Sequence, residues 1–183
     1  MIHESLPEIP VFQGLSRTQI EELNHWLLRK EYKRGEAILR EGDPPDGLYV
    51  VARGSVDALK KTPQGKIVIA RLEGPTVLGE MGLLTGEARS ASAVACSACV
   101  VGHLPIDVFD EQIAANNLTA LHIAFNLGRI VSQRMKEALR RIALLTEALT
   151  ERNMPAEEKA SVSRILRAVT THCLTGVDSG ERS

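Results

Sequence analysis

The sequence predicts an α+β fold in which an antiparallel β-roll, or jelly roll, lies between a short N-terminal helix and a long C-terminal helix. Three observations support this fold. Short β-prone runs separated by turn residues occupy about residues 31–104, helical periodicity precedes and follows them, and no crossover helix separates them. Consecutive short strands connected by turns form sandwiches, rolls or barrels, whereas a parallel sheet needs a helix between its strands.

The first predicted element is an amphipathic helix over residues 17–28. Its apolar positions Ile20, Leu23 and Leu27 have helical spacing, and Ser16 is a residue type that caps a helix N-terminus. The β-prone runs follow, and glycine- or proline-containing turns such as the segment 42–47 separate them. The predicted strands cover residues 48–52, 56–59, 67–72, 93–95 and 99–104.

Helical periodicity returns over residues 108–115 and then over a much longer stretch, about 118–150. Apolar and small residues there follow alternating steps of three and four, which is the seam of a coiled coil, while a second stripe through Ile130 and Leu139 can pack on the β domain. We expect the seam to form a homodimer. The alternative is a helical bundle within one chain, using a further helix near residues 156–169. The seam consists of Leu121, Ala124, Gly128, Val131, Met135, Ala138, Ile142, Leu145 and Leu149.

These elements predict three regions: a β-roll with its flanking helices (1–117), a dimerisation helix (118–151), and a short helix with a flexible tail (152–183). The 33 or so residues after the long helix show no helix-turn-helix pair, so we expect no direct DNA binding. If the chain is complete, it has no DNA-binding domain of its own.

Composition excludes several classes of function. The formal net charge of -1 gives no positive field for a polyanion, and no apolar run has the length of a membrane span. Three cysteines and a non-basic, non-apolar N-terminus predict a reduced, cytoplasmic protein. Cys96 and Cys99 have the spacing of a metal or redox pair, but no second pair exists, so we expect no metal and no cofactor. The five histidines are scattered without a nucleophile or carboxylate at motif spacing, so no catalytic residue is assigned and the chain is not expected to be an enzyme.

The segment 79–94 carries the candidate chemistry. Glycine lets the backbone approach a ligand, and the start of a short helical turn exposes N–H groups suited to an anion. Arg89 offers a permanent charge and a planar fork for phosphate oxygens, Ser90 adds a hydroxyl, and Glu80 is better suited to accept a hydrogen bond from a sugar hydroxyl than to face a phosphate. Without further context, an arginine and a glutamate nine residues apart, such as Arg89 and Glu80, are more often a surface ion pair or part of a solvated turn.

Residues 11–104 resemble the cyclic-nucleotide-binding domain shared by catabolite-activator-type bacterial regulators, protein-kinase regulatory subunits and cyclic-nucleotide-gated channels, and the resemblance extends through the long helix. The matching motifs are Phe12-Gln13-Gly14-Leu15, Arg34-Gly35-Glu36, Glu41-Gly42-Asp43, Leu48-Tyr49-Val50, Gly54-Ser55-Val56, Leu78-Gly79-Glu80-Met81-Gly82-Leu83-Leu84 and Arg89-Ser90-Ala91.

The resemblance implies a regulatory module that binds a cyclic mononucleotide, cAMP with cGMP also possible, and signals to an unknown protein partner through its C-terminal helix. It places ligand contacts at Gly79, Glu80, Met81, Gly82, Arg89, Ser90 and Ala91, a pocket wall at Val56 and Ala58, and a lid at Arg134 and Leu139. The sequence departs from the bacterial activator at Ala138 and Leu139, where that family member has hydroxyl side chains that read adenine. Two alternatives stay open: a dimerisation scaffold that has lost its ligand, and the effector domain of a larger regulator or enzyme.

Overall fold

The structure is a computed structural model that describes residues 6–151, 160 and 164, apart from the side chains of residues 146 and 148–151. It consists of an antiparallel β-roll of two four-stranded sheets with flanking helices. Two 3-10 turns, Leu6–Glu8 and Pro10–Phe12, precede the helices α1 (Arg17–Trp26), α2 (Glu80–Thr85), α3 (Ile106–Ala114) and α4 (Leu118–Glu151). The strands are β1 (Leu28–Tyr32), β2 (Ala37–Leu39), β3 (Gly47–Arg53), β4 (Ser55–Thr62), β5 (Gly65–Glu73), β6 (Thr76–Leu78), β7 (Ser92–Ala95) and β8 (Cys99–Pro105).

The strand order explains why β3 is buried along almost its whole length. One sheet has the order β1-β8-β3-β6 and the other β2-β7-β4-β5. Strand β3 is central, and its side chains alternate between two cores: Leu48 and Val50 pack with the helices, whereas Tyr49 and Val51 pack between the two sheets. Because both faces of β3 are covered, the strand reads as a continuous apolar run.

The five predicted strands and the helices predicted over residues 17–28, 108–115 and 118–150 are present, but the boundary between α1 and the first strand was predicted wrongly. The helix begins as predicted, with Ser16 accepting a hydrogen bond from the Gln19 N–H at 3.3 Å and Gln19 returning one to the Ser16 N–H. It ends at Trp26, not at Leu28, because Leu27 is extended and Leu28 pairs with His103 as the start of β1.

Strands β1, β2 and β6 were not predicted. Strand β1 has the sequence Leu-Arg-Lys-Glu-Tyr and lies at an edge of its sheet, mostly exposed, so it shows no apolar alternation. Strands β2 and β6 have three residues each, too few for a periodic pattern to be recognised.

The chain divides into two compact units, Met1–Val131 and Ser132–Ser183, and the described start of α4 lies in the first. Asn117 caps α4 by accepting hydrogen bonds from the Thr119 and Ala120 N–H groups at 2.8 and 3.1 Å. Further along, the Asn126 amide donates to the carbonyls of Val11 and Gln13 at 3.1 and 2.9 Å. The N-terminal segment is therefore fastened to this part of α4 by buried hydrogen bonds.

Within the first unit, α4 has one buried face and one exposed face. Ala120, Ile123 and Leu127 are fully buried, and Ile130 packs against the same core as predicted. Leu118, Leu121 and Phe125 are exposed. Phe125 takes the place on the exposed face that the sequence assigned to Ala124, which is partly buried.

In the second unit, Met135, Leu144 and Leu145 are exposed. The expected partner helix of the bundle alternative, residues 156–169, lies outside the described residues except for Ala160 and Arg164, which are helical. Among the described residues, no helix combines the length and the apolar character that crossing a membrane requires.

Candidate anion site

The segment between β6 and β7 folds into the short helix α2 because a glycine stands at each end of it. Gly79 precedes the helix with φ +80° and Gly86 follows it with φ +72°, both in the left-handed region that residues with a side chain rarely adopt. The Leu83 N–H donates to the Gly79 carbonyl at 3.1 Å, and the Gly86 N–H donates to the Gly82 carbonyl at 3.0 Å. This geometry brings Gly79 and Gly82 next to Arg89.

Arg89 is buried, whereas an ordinary surface ion pair would leave it exposed. Its side chain is 3% exposed, and its guanidinium donates to three oxygens: Nη1 to the Gly79 carbonyl at 2.9 Å, and Nη2 to Asp46 Oδ1 at 2.6 Å and to the Gly47 carbonyl at 2.7 Å. A guanidinium has five N–H donors. The three hydrogen bonds use three of these donors.

Three glycines make room for this side chain and its partners. A Cβ atom on Gly79 would lie 2.3 Å from Arg89 Nη1, and one on Gly82 would lie 3.3 Å from the same atom. A Cβ atom on Gly47 would lie 2.1 Å from the Leu104 carbonyl oxygen. Close backbone approach is thus a requirement of the site, as the glycine-rich sequence predicts.

Asp46 is the carboxylate partner of Arg89, and sequence reasoning missed it. It lies in the turn before β3, 43 positions from Arg89, so no local spacing connects the two. Its other carboxylate oxygen accepts a hydrogen bond from the Tyr49 hydroxyl at 2.6 Å. Burial raises the pKa of Asp46, but the hydrogen bonds from Tyr49 and Arg89 outweigh burial and hold that pKa below its usual value. Burial and the neighbouring carboxylate raise the pKa of Tyr49.

The backbone on either side of Arg89 is fixed by the loop that precedes β3 and by β4. The Gly42 N–H donates to the Arg89 carbonyl, and the Arg89 N–H donates to the Asp43 carbonyl, both at 2.9 Å. Lys60 Nζ donates to the Ser90 carbonyl at 2.7 Å and forms an ion pair with Glu41 at 2.9 Å. Arg89 and Ser90 therefore stand on a backbone that is held from two sides.

The remaining predicted site residues of the first unit have different exposures. Glu80 is buried at the first position of α2, while Met81 and Ser90 are exposed, with Met81 Sδ 4.0 Å from Ser90 Oγ. Ala91 is half-buried. Val56 is fully enclosed in the core between the sheets, whereas its neighbour on the same face of β4, Ala58, is half-buried. Their roles as a pocket wall stay predictions.

The predicted lid residues, Arg134 and Leu139, belong to the second unit, as does Ala138, so their relation to the site stays a prediction. Cys96 and Cys99 are free thiols, half-buried and buried, on either side of the β7–β8 turn. Among the described residues, no group of three or more histidines, cysteines or carboxylates is arranged to hold a metal ion.

Comparison with known proteins shows which family the segment around this site is similar to. Residues 29–116 match the family model described as a cyclic nucleotide-binding domain. Through this segment, the chain is similar to the cyclic nucleotide-binding domain family. The family model covers the two sheets, α2 and Arg89, so the sequence resemblance and the fold class are both confirmed.

Relatives extend the match into the helices. The chain is 32% identical to the cyclic AMP receptor protein of Thermus thermophilus over 75% of this chain and 62% of that protein. It is 29% identical to a cAMP-dependent protein kinase type II regulatory subunit of Drosophila melanogaster over 62% of this chain and 30% of that protein. A crystal structure of a cyclic nucleotide-binding domain from Methylobacillus flagellatus is similar with a TM-score of 0.71 at 27% identity, covering 77% of this chain and 82% of that one. The chain thus spans less than two thirds of the length of these two curated relatives.

Proposed function

We propose that this cyclic nucleotide-binding domain binds a cyclic mononucleotide, with its phosphate held by Arg89. The observation that carries the proposal is the buried guanidinium, which packs against glycine backbone and uses three of its five N–H donors in the hydrogen bonds described above. A cyclic phosphodiester carries one negative charge and acceptor oxygens, which suits a single guanidinium. Ser90, Ala91 and the backbone of Gly79, Met81 and Gly82 are the further phosphate contacts that we propose.

Asp46 makes the site selective for an anion that can compete with a carboxylate. A buried guanidinium needs a compensating negative charge, and in the structure Asp46 supplies it through an ion pair of 2.6 Å. Asp46 is 55% exposed, so the pair is open to solvent on one side. A phosphate that approaches the remaining N–H donors shares the charge of Arg89 with Asp46, and the arginine does not have to become unpaired at any stage.

Glu80 is proposed to bind the ribose. A carboxylate accepts hydrogen bonds and would repel a phosphate, whereas the 2′-hydroxyl of a ribose is a donor that suits it. For the base, Val56 and Ala58 from β4 are the proposed wall and Arg134 and Leu139 the proposed lid. We propose cAMP as the preferred ligand, which the names of the Thermus and Drosophila relatives support, with cGMP as the competitor.

Signalling is proposed to proceed through α4 in a homodimer. In the first unit, Leu118, Leu121 and Phe125 expose a continuous apolar face on the side of the helix opposite its buried face. The heptad spacing of the seam continues this face towards Met135 and beyond. A ligand shifts such a helix only by binding its two arrangements with different affinity, and the output is proposed to reach a separate protein partner.

The experiment that tests this function is calorimetric titration of cAMP and cGMP into the wild type and into Arg89→Lys and Arg89→Ala. Wild-type protein should bind, with cAMP tighter. Arg89→Ala should lose about 2–5 kcal/mol of binding free energy because it removes the charged partner of a buried anion, and Arg89→Lys should recover only part of the loss because a lysine lacks the planar fork.

A dimerisation scaffold that has lost its ligand would give no heat with either nucleotide. Equal affinity in wild type and Arg89→Ala would mean that the phosphate binds elsewhere.

A further inference from the structure

His103 lies directly behind the turn that holds Arg89. It is a buried residue on β8 whose ring stacks on Tyr49 with a centroid separation of 4.4 Å. Its Nε2 atom is 3.2 Å from the Asp46 carbonyl oxygen and 3.8 Å from Asp46 Oδ2, and a Cβ atom on Gly47 would lie 2.8 Å from it. The histidine therefore contacts both residues that accept hydrogen bonds from Arg89 Nη2.

The hydrogen bonds fix which form of the ring fits this position. A carbonyl oxygen only accepts, so Nε2 carries the proton, and in the neutral ring Nδ1 is then without one. Nδ1 is buried and has no hydrogen-bond partner in the part of the chain that the structure describes. Burial, followed by the charge of Lys30, lowers the pKa of His103. The neutral ring, protonated at Nε2 alone, is thus the form that the apo site favours.

The groups that face His103 decide what a proton on the ring would do. Strand β1 contributes Lys30, which lies 5.2 Å from the centre of the Tyr49 ring, and β3 contributes Tyr49 itself. The turn before β3 contributes Asp46, and the segment before β7 contributes Arg89. Asp46 is the one anion in this set, so an imidazolium would attract the same carboxylate that neutralises Arg89.

We propose that His103 is a positioning residue of the anion site and that protonation of its ring strengthens the binding of an anionic cyclic nucleotide. The inference rests on the proposed function. A protonated His103 draws the Asp46 carboxylate away from Arg89, which leaves the guanidinium with more of its charge for the phosphate. It also adds one positive charge close to the bound anion. Because linkage is reciprocal, the bound nucleotide must in turn favour the protonated ring.

The test is the affinity for cAMP from about pH 5.5 to about pH 8, the range in which histidines titrate, for wild type, His103→Gln and His25→Gln. Glutamine can still donate to the Asp46 carbonyl but does not titrate, and His25 is an exposed residue of α1 that serves as the matched control. We expect wild type and His25→Gln to bind about three- to tenfold tighter at the acidic end, which is within the limit of about tenfold per pH unit that the uptake of one proton sets. His103→Gln should bind with an affinity that is independent of pH.

A measurement on the wild type covers the case in which His103→Gln does not fold. The imidazole signals followed by NMR should show the pKa of His103 rising when cAMP is added. Binding at neutral pH without any dependence on acid, or an unchanged His103 titration in the complex, would overturn the role of His103 and leave the proposed function standing. Absence of binding at every pH would overturn the proposed function itself.

Discussion

Replacing Gly79 with alanine should abolish most of the ligand affinity, and Gly86→Ala provides a matched control. The two glycines have nearly the same backbone conformation, φ +80° and ψ 12° against φ +72° and ψ 1°. An alanine in this region costs about 1–2 kcal/mol at either site. They differ in their surroundings, because a Cβ atom on Gly79 would lie 2.3 Å from Arg89 Nη1, whereas one on Gly86 would meet nothing within 4 Å.

The expected loss of affinity in Gly79→Ala follows from the displacement of the Arg89 guanidinium. Normal carbon–nitrogen contact is about 3.5 Å or more, so the guanidinium must move by about 1 Å and loses its hydrogen bond to the Gly79 carbonyl. A displaced guanidinium also loses a hydrogen bond to the phosphate of the ligand. A hydrogen bond to a charged group is worth about 1.5–3 kcal/mol, which corresponds to a loss of about ten- to a hundredfold in cAMP affinity.

Both variants should be compared by calorimetric titration and by thermal unfolding. Gly86→Ala should lose stability but retain affinity within about threefold, that is, within less than the 1.4 kcal/mol of a tenfold change. If Gly79→Ala bound cAMP as well as Gly86→Ala does, the guanidinium position seen in the structure would not be the one that binds phosphate, and the reasoning would be refuted.

Three further predictions concern other parts of the molecule. Asp46→Asn removes the carboxylate that pairs with Arg89. Because the pair is half-exposed, we expect a loss of only about 1–2 kcal/mol in the free energy of unfolding, measured with denaturant, and a fall in the Tyr49 pKa, measured by absorbance. An unchanged Tyr49 titration would contradict the hydrogen bond between Tyr49 and Asp46. Burial lowers the pKa of His103 in the folded state, so the unfolded chain binds the proton more readily. The contribution of neutral His103 to the free energy of unfolding without ligand should therefore be fully present above about pH 6.5 and decrease as the pH falls below that value. His103→Gln should remove this part of the pH dependence of the free energy of unfolding measured by urea titration. Phe125→Glu should convert a dimer into a monomer, as measured by light scattering. Gln133→Glu should not, because Gln133 lies on the opposite side of α4 from the seam. A wild type that is monomeric at all concentrations would exclude the dimer.

The parts of the fold that the sequence predicts are those with local causes. Ser16 was recognised as a helix cap because its partner is Gln19, three residues away, and α4 was recognised because its period is sustained over many turns. Strand β1 was missed because its side chains are mostly charged and its stability comes from pairing with β8, a partner about 70 positions later in the chain.

The anion site shows the same division. The glycines around α2 and the importance of Arg89 are visible in one continuous segment. Asp46 looks like an ordinary turn residue and His103 like one of several scattered histidines, and only the antiparallel pairing of β3 with β8 brings them together. In this site the ligand-facing groups are local in sequence, and the residues that position them are not.

The N-terminal segment determines how much chain is needed for a stable domain. The family match begins at residue 29, yet Leu6, Ile9, Val11 and Phe12 are each at most 1% exposed and share one core with α4. The Asn126 side-chain amide also donates hydrogen bonds to the carbonyls of Val11 and Gln13. A chain trimmed to the matched residues would expose this apolar surface and leave the Asn126 amide without its hydrogen-bond acceptors. The smallest part of the chain that folds by itself therefore begins well before residue 29.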